Sequence, residues 1–406
     1  MTKISLGRYG LPTKVKFCQN CVISNQRPSS TVEFKATQEE VKSTIAFDES
    51  GICDACRFAE VKDQGIDWNH REEQLFQLSE RLSSHKGYNI VVPGSGGKDS
   101  AFASHILKYK FGFRPLTVTW SPHLYTEIGR SNFDSWIHEG GLDNVLFTPN
   151  GKLHRYLTKI AFTNLLHPFQ PFIIGQRIIG PLIAMKFGIP AVFYGENQAE
   201  YGNKIDENET PYMDPKFFSA DTSSAMKFGG LSIEEILAEE PAFSPADFIP
   251  YIPPTPRDIK EASLEVHYLG YYLKWDPQEC FYYASDNTGF RPNPERTEGT
   301  YSKYSSIDDK IDPFHYYTTL AKFGLGRASY DASQEIRNGK ITREEGIALV
   351  KKFDCEFPSN YFTDFLEYVN LEEDAFHCTV DSFRSEHLWT KRSSGWELRK
   401  PIWNAE

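Results

Sequence analysis

The 406-residue sequence predicts an α/β fold, a doubly wound parallel sheet with an N-terminal cysteine-bearing segment and a mostly helical C-terminal region. Three observations carry that expectation. Short apolar runs alternate with helix-length amphipathic stretches through the first half of the chain. The first apolar run, Ile90-Val91-Val92-Pro93, leads into Ser95-Gly96-Gly97-Lys98-Asp99-Ser100 and then a helical stretch. That strand–turn–helix order is the plan of a phosphate cradle, in which glycines let backbone N–H groups close on an anion at a helix N-terminus. Two C-x-x-C pairs precede the alternation, and helical periodicity follows it.

Taken in order, a helical connector over 72–83 precedes the strand 90–93 and the helix 101–110. Then come a strand at 115–120, a helix near 132–139, a strand at 144–148 and a helix near 153–165. A long apolar helix near 178–187 runs into a strand at 191–194. Ligands of such sheets sit outside the carboxyl ends of the strands, where the order reverses. That rule gathers 95–100, the segment after Trp120 and Gly195-Glu196-Asn197 around one crevice. Residues 205–257 turn irregular, with a capping box at Ser232-Ile233-Glu234-Glu235, and the proline-rich run 249–256 reads as a linker or an extended wrap. Further capping boxes are Thr37-Gln38-Glu39-Glu40, ahead of a small helix, and Thr342-Arg343-Glu344-Glu345. Another apolar-periodic stretch opens at Tyr361. The expected division is a cysteine segment and connector over 1–85, a nucleotide domain over 86–250 and a mostly helical domain over 251–406.

Net charge is −11, from 44 basic and 55 acidic residues, with no long Lys/Arg run. An acidic balance argues against nucleic acid as the main partner. The N-terminus shows no signal-peptide core, so the expected location is cytoplasmic. The most apolar stretch, 169–194, is interrupted by Gln170, Gln176, Arg177 and Lys186, which fits a buried helix and strand with no membrane partner.

Four of the seven cysteines form Cys18-x-x-Cys21 and Cys53-x-x-Cys56. Each pair wraps two thiolates around one side of a metal, and two pairs complete a tetrahedron. In a cytoplasmic chain this pattern reads as a structural Zn²⁺ site, against the alternative of redox cysteines or coincidence. A closed four-thiolate site has no open position, so its expected role is folding.

The loop at 95–100 lacks the spacings of the two commonest nucleotide loops. It resembles the S-G-G-x-D-S loop of the PP-loop ATP pyrophosphatases, which split ATP between its α- and β-phosphates. The resemblance implies adenylation, with Ser95, Gly96, Gly97 and Ser100 holding pyrophosphate and Asp99 near Mg²⁺ or bracing the loop. Asp99-Ser100 reads equally as a plain helix cap. Trp120 heads the segment that such proteins wrap around adenine, largely through backbone atoms, and His123 follows in it as a nucleotide contact or a solvated loop residue. At the predicted strand end, Glu196 suits a second Mg²⁺ or substrate contact and Asn197 a hydrogen bond to an acyl or phosphate oxygen. The polar stretch 296–310, including Arg296, Glu298, Tyr301 and Lys303, suits anion or sugar recognition, though such runs are often only solvated loops. Lys322-Phe323-Gly324-Leu325-Gly326-Arg327 suits phosphate and a helix–helix turn equally.

Across nearly the whole chain the sequence looks like the N-acetyl sugar amidotransferases of bacterial surface-glycan synthesis, of the pseudaminic-acid and acetamidino-mannuronate type. The matching features are Cys18-x-x-Cys21 with Arg27-Pro28, Phe47-Asp48-Glu49 before Gly51-Ile52-Cys53, the loop at 95–100, and Gly195-Glu196-Asn197. They continue through 296–310, His315-Tyr316-Tyr317, 322–331, and Glu335-Ile336-Arg337-Asn338-Gly339 with Thr342-Arg343-Glu344-Glu345. The resemblance implies a PP-loop, adenine nucleotide alpha hydrolase-like fold that uses ATP and Mg²⁺. It also implies adenylation of an acetamido oxygen on a nucleotide-linked N-acetyl sugar, and attack by ammonia to give an acetamidino group. Lys98, Asp99 and Glu196 would carry the chemistry, and Asn197, Arg296, Glu298, Tyr301 and Lys303 would hold the sugar.

A built-in glutaminase needs a nucleophilic cysteine at the mature N-terminus or on a Gly-flanked elbow. Residue 2 is Thr2, and Cys280, Cys355 and Cys378 are not flanked by glycine. The resemblance therefore implies a separate glutaminase subunit and a cyclase-like barrel subunit that deliver ammonia, similar to the imidazole glycerol phosphate synthase pair. The alternative is a PP-loop tRNA-thiolating enzyme, which needs a persulfide-forming cysteine or an iron–sulfur site and a basic tRNA face. A non-catalytic ATP-binding subunit is the third possibility.

Overall fold

The computed structural model describes residues 6–195, 198–205, 209–223, 226–393 and 395–405. Five strands form its central sheet: β1 (Ile90–Pro93), β2 (Pro115–Trp120), β3 (Asp143–Phe147), β4 (Ala191–Tyr194) and β5 (Glu265–Tyr268). Their spatial order is β3-β2-β1-β4-β5, and every neighbouring pair is parallel. The order reverses between β1 and β4, so the crevice of this doubly wound sheet opens where β1 ends, at the Ser95–Ser100 loop.

Strand alternation divides the core between the two faces. Val91 packs with Val118, Ile174 and Ile178 on the side of helix Gln170–Phe187. Ile90 and Val92 pack with Ala103, Ile106 and Leu107 of helix Lys98–Tyr109 on the other. Both faces are thereby covered, as a parallel sheet requires. The apolar stretch 169–194 supplies a buried helix and β4, and among the described residues no helix is long and apolar enough to cross a membrane.

Several boundaries move for local reasons. Helix Lys98–Tyr109 starts three residues early because Gly97, in extended conformation, is its N-cap. Helix Glu127–His138 starts at the Thr126 cap, whose side chain accepts from the Gly129 amide. The Thr37 box yields only a turn at residues 38–39, since no apolar-periodic run follows it to bury a helix face. The boxes at Ser232 and Thr342 do start helices, Ile233–Glu239 and Arg343–Phe353. Strand β5 lies inside the region expected to be mostly helical. Its four residues are too few for a periodic signal, and its register is set by pairing with β4. Beyond it run helices Pro277–Thr288, Asp312–Phe323, Arg327–Arg337, Arg343–Phe353, Phe362–Val369 and Glu373–Phe383, then the antiparallel hairpin Trp389–Arg392 with Gly395–Leu398.

Candidate active site

The loop after β1 is shaped by its glycines. Gly96 holds φ +84°, and a Cβ there would lie 2.7 Å from the Phe133 Cα, a backbone contact that cannot give way. A Cβ on Gly97 would meet only the Ser95 hydroxyl, at 3.9 Å, so the space in front of Gly97 is open. Among the described residues the backbone N–H groups of Ser95, Gly96 and Gly97 donate to no protein acceptor. Open space, three amide donors and a helix N-terminus fit a phosphate chain. The Lys98 ammonium donates to both Asp99 carboxylate oxygens, at 2.7 and 2.6 Å, and the Ser100 hydroxyl donates to the Gly97 carbonyl at 3.0 Å.

The segment 296–310 is fastened to this loop from the opposite end of the chain. The Ser95 hydroxyl donates to Asp308 Oδ2 at 2.7 Å, and the Thr126 amide donates to the Asp308 carbonyl at 3.2 Å. Gly129 leaves no room for a Cβ against the Asp308 backbone, so helix Glu127–His138 packs directly on the strap. Next door, Asp309 accepts from the His123 and Leu124 amides at 2.7 and 3.3 Å and pairs with His123 Nδ1 at 2.7 Å. Burial pushes the Asp308 carboxyl above the ordinary carboxylate range. Ser306 is held at φ +55°, a left-handed conformation costing a non-glycine residue about 1–2 kcal/mol. Such strain persists only where the surroundings over-determine it, here by the anchors on either side.

Between the loop and the C-terminal helices lies a cleft of about 240 Å³. Lys98 and Asp99 form one wall, and Ser302, Tyr304 and Ser305 of the strap form a second. Helix Arg327–Arg337 forms the third, presenting Arg327, Asp331 and Glu335 at i, i+4 and i+8. Arg27 and Ala55 of the cysteine segment line the floor. Arg327 pairs with Asp331 at 3.0 Å and lies over the Tyr316 ring at 4.3 Å. Burial alone would lower its pKa, but Asp331, Tyr316 and Asp312 outweigh burial and hold the guanidinium charged. Asp331 also accepts from the Thr300 hydroxyl at 2.6 Å, and Glu335 accepts from the Tyr301 hydroxyl at 2.8 Å. Burial raises the Glu335 carboxyl and lowers the His315 imidazole, which also lines the cleft, to about 3.

That helix is aimed by Asp354. Its carboxylate accepts from the Gly326 amide at 2.9 Å, the Ser329 amide at 2.7 Å and the Ser329 hydroxyl at 2.8 Å. The segment 322–327 is thus a helix–helix turn whose N-terminal donors take a protein carboxylate.

The predicted site residues divide. Ser95, Gly96, Gly97, Lys98, Asp99 and Ser100 come together in the loop. The Trp120 side chain is a core residue, 2 % exposed and packed against Phe147 and Tyr251 at 5.1 Å each. His123 is buried on Asp309 and does not line the cleft. Arg296 is taken by Glu356 in a bidentate pair, both contacts 2.6 Å. Glu298 accepts from the Asn360 amide at 2.9 Å, and Lys303 is exposed and donates to the Pro294 carbonyl at 2.6 Å. Tyr301 reaches the cleft only through Glu335. Glu196 and Asn197 lie outside the described residues. Tyr304 and Asp308 fell within the candidate stretch 296–310, Arg327 within 322–327, and Asp331 and Glu335 within the matching features, but none of the five was singled out as a site residue. The i, i+4, i+8 polar stripe from Arg327 was the available signal for three of them.

Cys18, Cys21, Cys53 and Cys56 are all buried, and their sulfurs lie within 4.8 Å of one another. The Cys18–Cys56 and Cys21–Cys53 sulfur separations are both 3.8 Å. A tetrahedron with metal–sulfur bonds of about 2.3 Å has an edge of about 3.8 Å, so the donor set fits one tetrahedral ion. Arg343 donates to the Cys21 and Cys18 carbonyls at 3.2 and 3.1 Å, tying the first cysteine turn to helix Arg343–Phe353.

Residues 298–402 match the family model described as the C-terminal domain of LPS biosynthesis protein WbpG-like proteins. That span holds two of the three cleft walls and Asp308. No curated protein matches the chain. Among solved structures, an NH3-dependent NAD synthetase from Campylobacter jejuni is 15% identical, with a TM-score of 0.27; the match covers 34% of this chain and 59% of that one. An NMN synthetase from Francisella tularensis is 11% identical over 76% of this chain and 98% of that one, with a TM-score of 0.29. The U34-tRNA thiolase NcsA from Methanococcus maripaludis, with its 4Fe–4S cluster, is 12% identical over 90% and 95%, with a TM-score of 0.29. None of these three likenesses is close enough to bear on the chemistry.

Proposed function

We propose that the chain is an ATP-dependent amidotransferase of bacterial surface-polysaccharide or flagellin-glycan synthesis, acting on an N-acetylated, nucleotide-linked sugar. The observation that carries the reading is the Ser95–Asp308 contact, which joins the Gly-rich loop to the segment matched by the WbpG-like family model, while Lys98 and Asp99 of the loop line one cleft with Tyr304, Arg327 and Asp331 of that segment. The amide oxygen of the acceptor attacks the α-phosphorus of ATP, forming a C–O–P link and expelling pyrophosphate. Ammonia then adds to the activated carbon, a proton leaves the nitrogen, the C–O bond breaks and AMP departs. The product is an acetamidino group.

In this scheme the amides of Ser95, Gly96 and Gly97 hold the β- and γ-phosphates, and Lys98 neutralises charge beside them. Mg²⁺ bound with the nucleotide would screen phosphate charge, with Asp99 its nearest carboxylate in the loop. Zn²⁺ is the ion we assign to the four cysteines, with a folding role. Ammonia would come from a separate glutaminase subunit through a cyclase-like barrel subunit. The tRNA-thiolation alternative gains nothing from the site, since no cysteine is among the described residues lining the cleft.

The test is incubation with ATP, Mg²⁺, ammonium and a panel of nucleotide-linked N-acetyl and diacetamido sugars. Mass spectrometry should find oxygen exchanged for NH on one sugar, with AMP and pyrophosphate in equal amounts. ADP in their place refutes the reading.

A further inference from the structure

Tyr304 is the one aromatic hydroxyl of the strap that lines the cleft. Its ring is stacked on Phe281 with centroids 4.7 Å apart and planes 18° from parallel, and the Lys98 ammonium lies over it, 5.8 Å from its centroid. The backbone beneath it is pinned as well. The Ser302 hydroxyl accepts from the Tyr304 amide at 3.2 Å, and the Thr297 hydroxyl donates to the Ser305 carbonyl at 2.8 Å. Among the described residues the Tyr304 hydroxyl has no hydrogen-bond partner, yet it is not sealed in the core. Burial raises this phenol, and the charges felt next most strongly are Glu335, Lys98, Asp331 and Asp99, two from the helix wall and two from the phosphate loop. Tyr304 lines the cleft together with Lys98 and Asp99 of the loop and Asp331 and Glu335 of the helix wall.

We infer that Tyr304 binds the acceptor's acetamido group, its phenol oxygen accepting a hydrogen bond from the acetamido N–H while the amide oxygen faces the α-phosphate. This rests on the amidotransferase reading. Pulling on that proton leaves density on the nitrogen, and conjugation passes it to the amide oxygen, which becomes a better nucleophile. A phenol stacked on Phe281 and contacted by Lys98 sets the orientation before the substrate arrives. The hydroxyl proton stays on Tyr304 throughout. The lone pairs of the phenol oxygen remain available to the substrate.

The experiment compares the full-length protein with Tyr304→Phe in two measurements. The first is binding of each nucleotide-linked N-acetyl sugar in the presence of a non-hydrolysable ATP analogue. The second is steady-state AMP formation with ammonium. The expected result is unchanged Tm and unchanged affinity for the ATP analogue, with kcat/KM for the acceptor lowered about a hundredfold, mainly in kcat. Sugar binding and turnover of Tyr304→Phe within twofold of the wild type would overturn the inference while leaving the amidotransferase reading intact. A wild-type protein that neither binds nor converts any N-acetylated sugar overturns both.

Discussion

Ser95 and Asp308 stand 213 residues apart in sequence and are joined by a 2.7 Å hydrogen bond from hydroxyl to carboxylate. The bond fastens the Ser95–Ser100 loop to the strap that carries Tyr304. A hydrogen bond to a charged group contributes about 1.5–3 kcal/mol. Asp308→Ala should therefore weaken ATP binding about ten- to a hundredfold by titration calorimetry, with the acceptor KM rising alongside. Unaltered affinity for both would show that the strap is held independently of the loop.

The two loop glycines should behave differently when replaced by alanine. Gly96→Ala drives a Cβ into the Phe133 backbone from a left-handed φ, so Tm falls together with nucleotide binding. Gly97→Ala places its methyl in open space at an extended φ, so Tm should hold while ATP binding is lost. Thermal unfolding with and without ATP separates the two. Retained ATP protection of Gly97→Ala would move the phosphates elsewhere.

The four-cysteine centre should contain about one divalent ion per chain, measured by elemental analysis. Cys21→Ser should lose the ion and lower Tm by more than about 10 °C, because metal binding and folding are coupled. Arg343 loses its hold on the first cysteine turn in that variant, so helix Arg343–Phe353 should lose protection in hydrogen exchange.

Lys322 sets a pH dependence of stability. It is 8 % exposed and donates to the Leu165 carbonyl at 2.8 Å. Burial pushes its pKa down from 10.5 to about 7. The folded state then releases the proton more readily than the unfolded chain, so stability rises with pH between about 7 and 10.5 and levels off below 7, where both states hold the proton. The slope from this group is at most about 1.4 kcal/mol per pH unit. Denaturant midpoints of Lys322→Met should lack that slope between pH 7 and 9. A slope equal to the wild type's would assign it to other groups.

Much of this architecture was legible in the sequence because it is written in local patterns. Ile90–Pro93, Pro115–Trp120 and Ala191–Tyr194 are bounded by turn chemistry, and their apolar runs mark strands buried on both faces. The Ser95-Gly96-Gly97 turn announces itself by composition, and the cysteine pairs by spacing. Strand β5 was not legible, because four residues become a strand only when β4 is there to pair with them. A cleft-lining residue of the strap was hidden for a similar reason. Arg296 and Lys303 are the obvious cations of the strap, but Glu356 and the Pro294 carbonyl occupy them, while Tyr304 faces the cleft. Composition shows which residues could bind a ligand, whereas pairing between distant segments decides which remain available.

The most direct measurement is a crystal structure of the protein with a non-hydrolysable ATP analogue and Mg²⁺. The account predicts the β- and γ-phosphates on the amides of Ser95, Gly96 and Gly97, with the α-phosphate facing the Tyr304 hydroxyl across the cleft. A triphosphate bound away from that loop, or one whose γ-phosphate rather than its α-phosphate faces Tyr304, would contradict it.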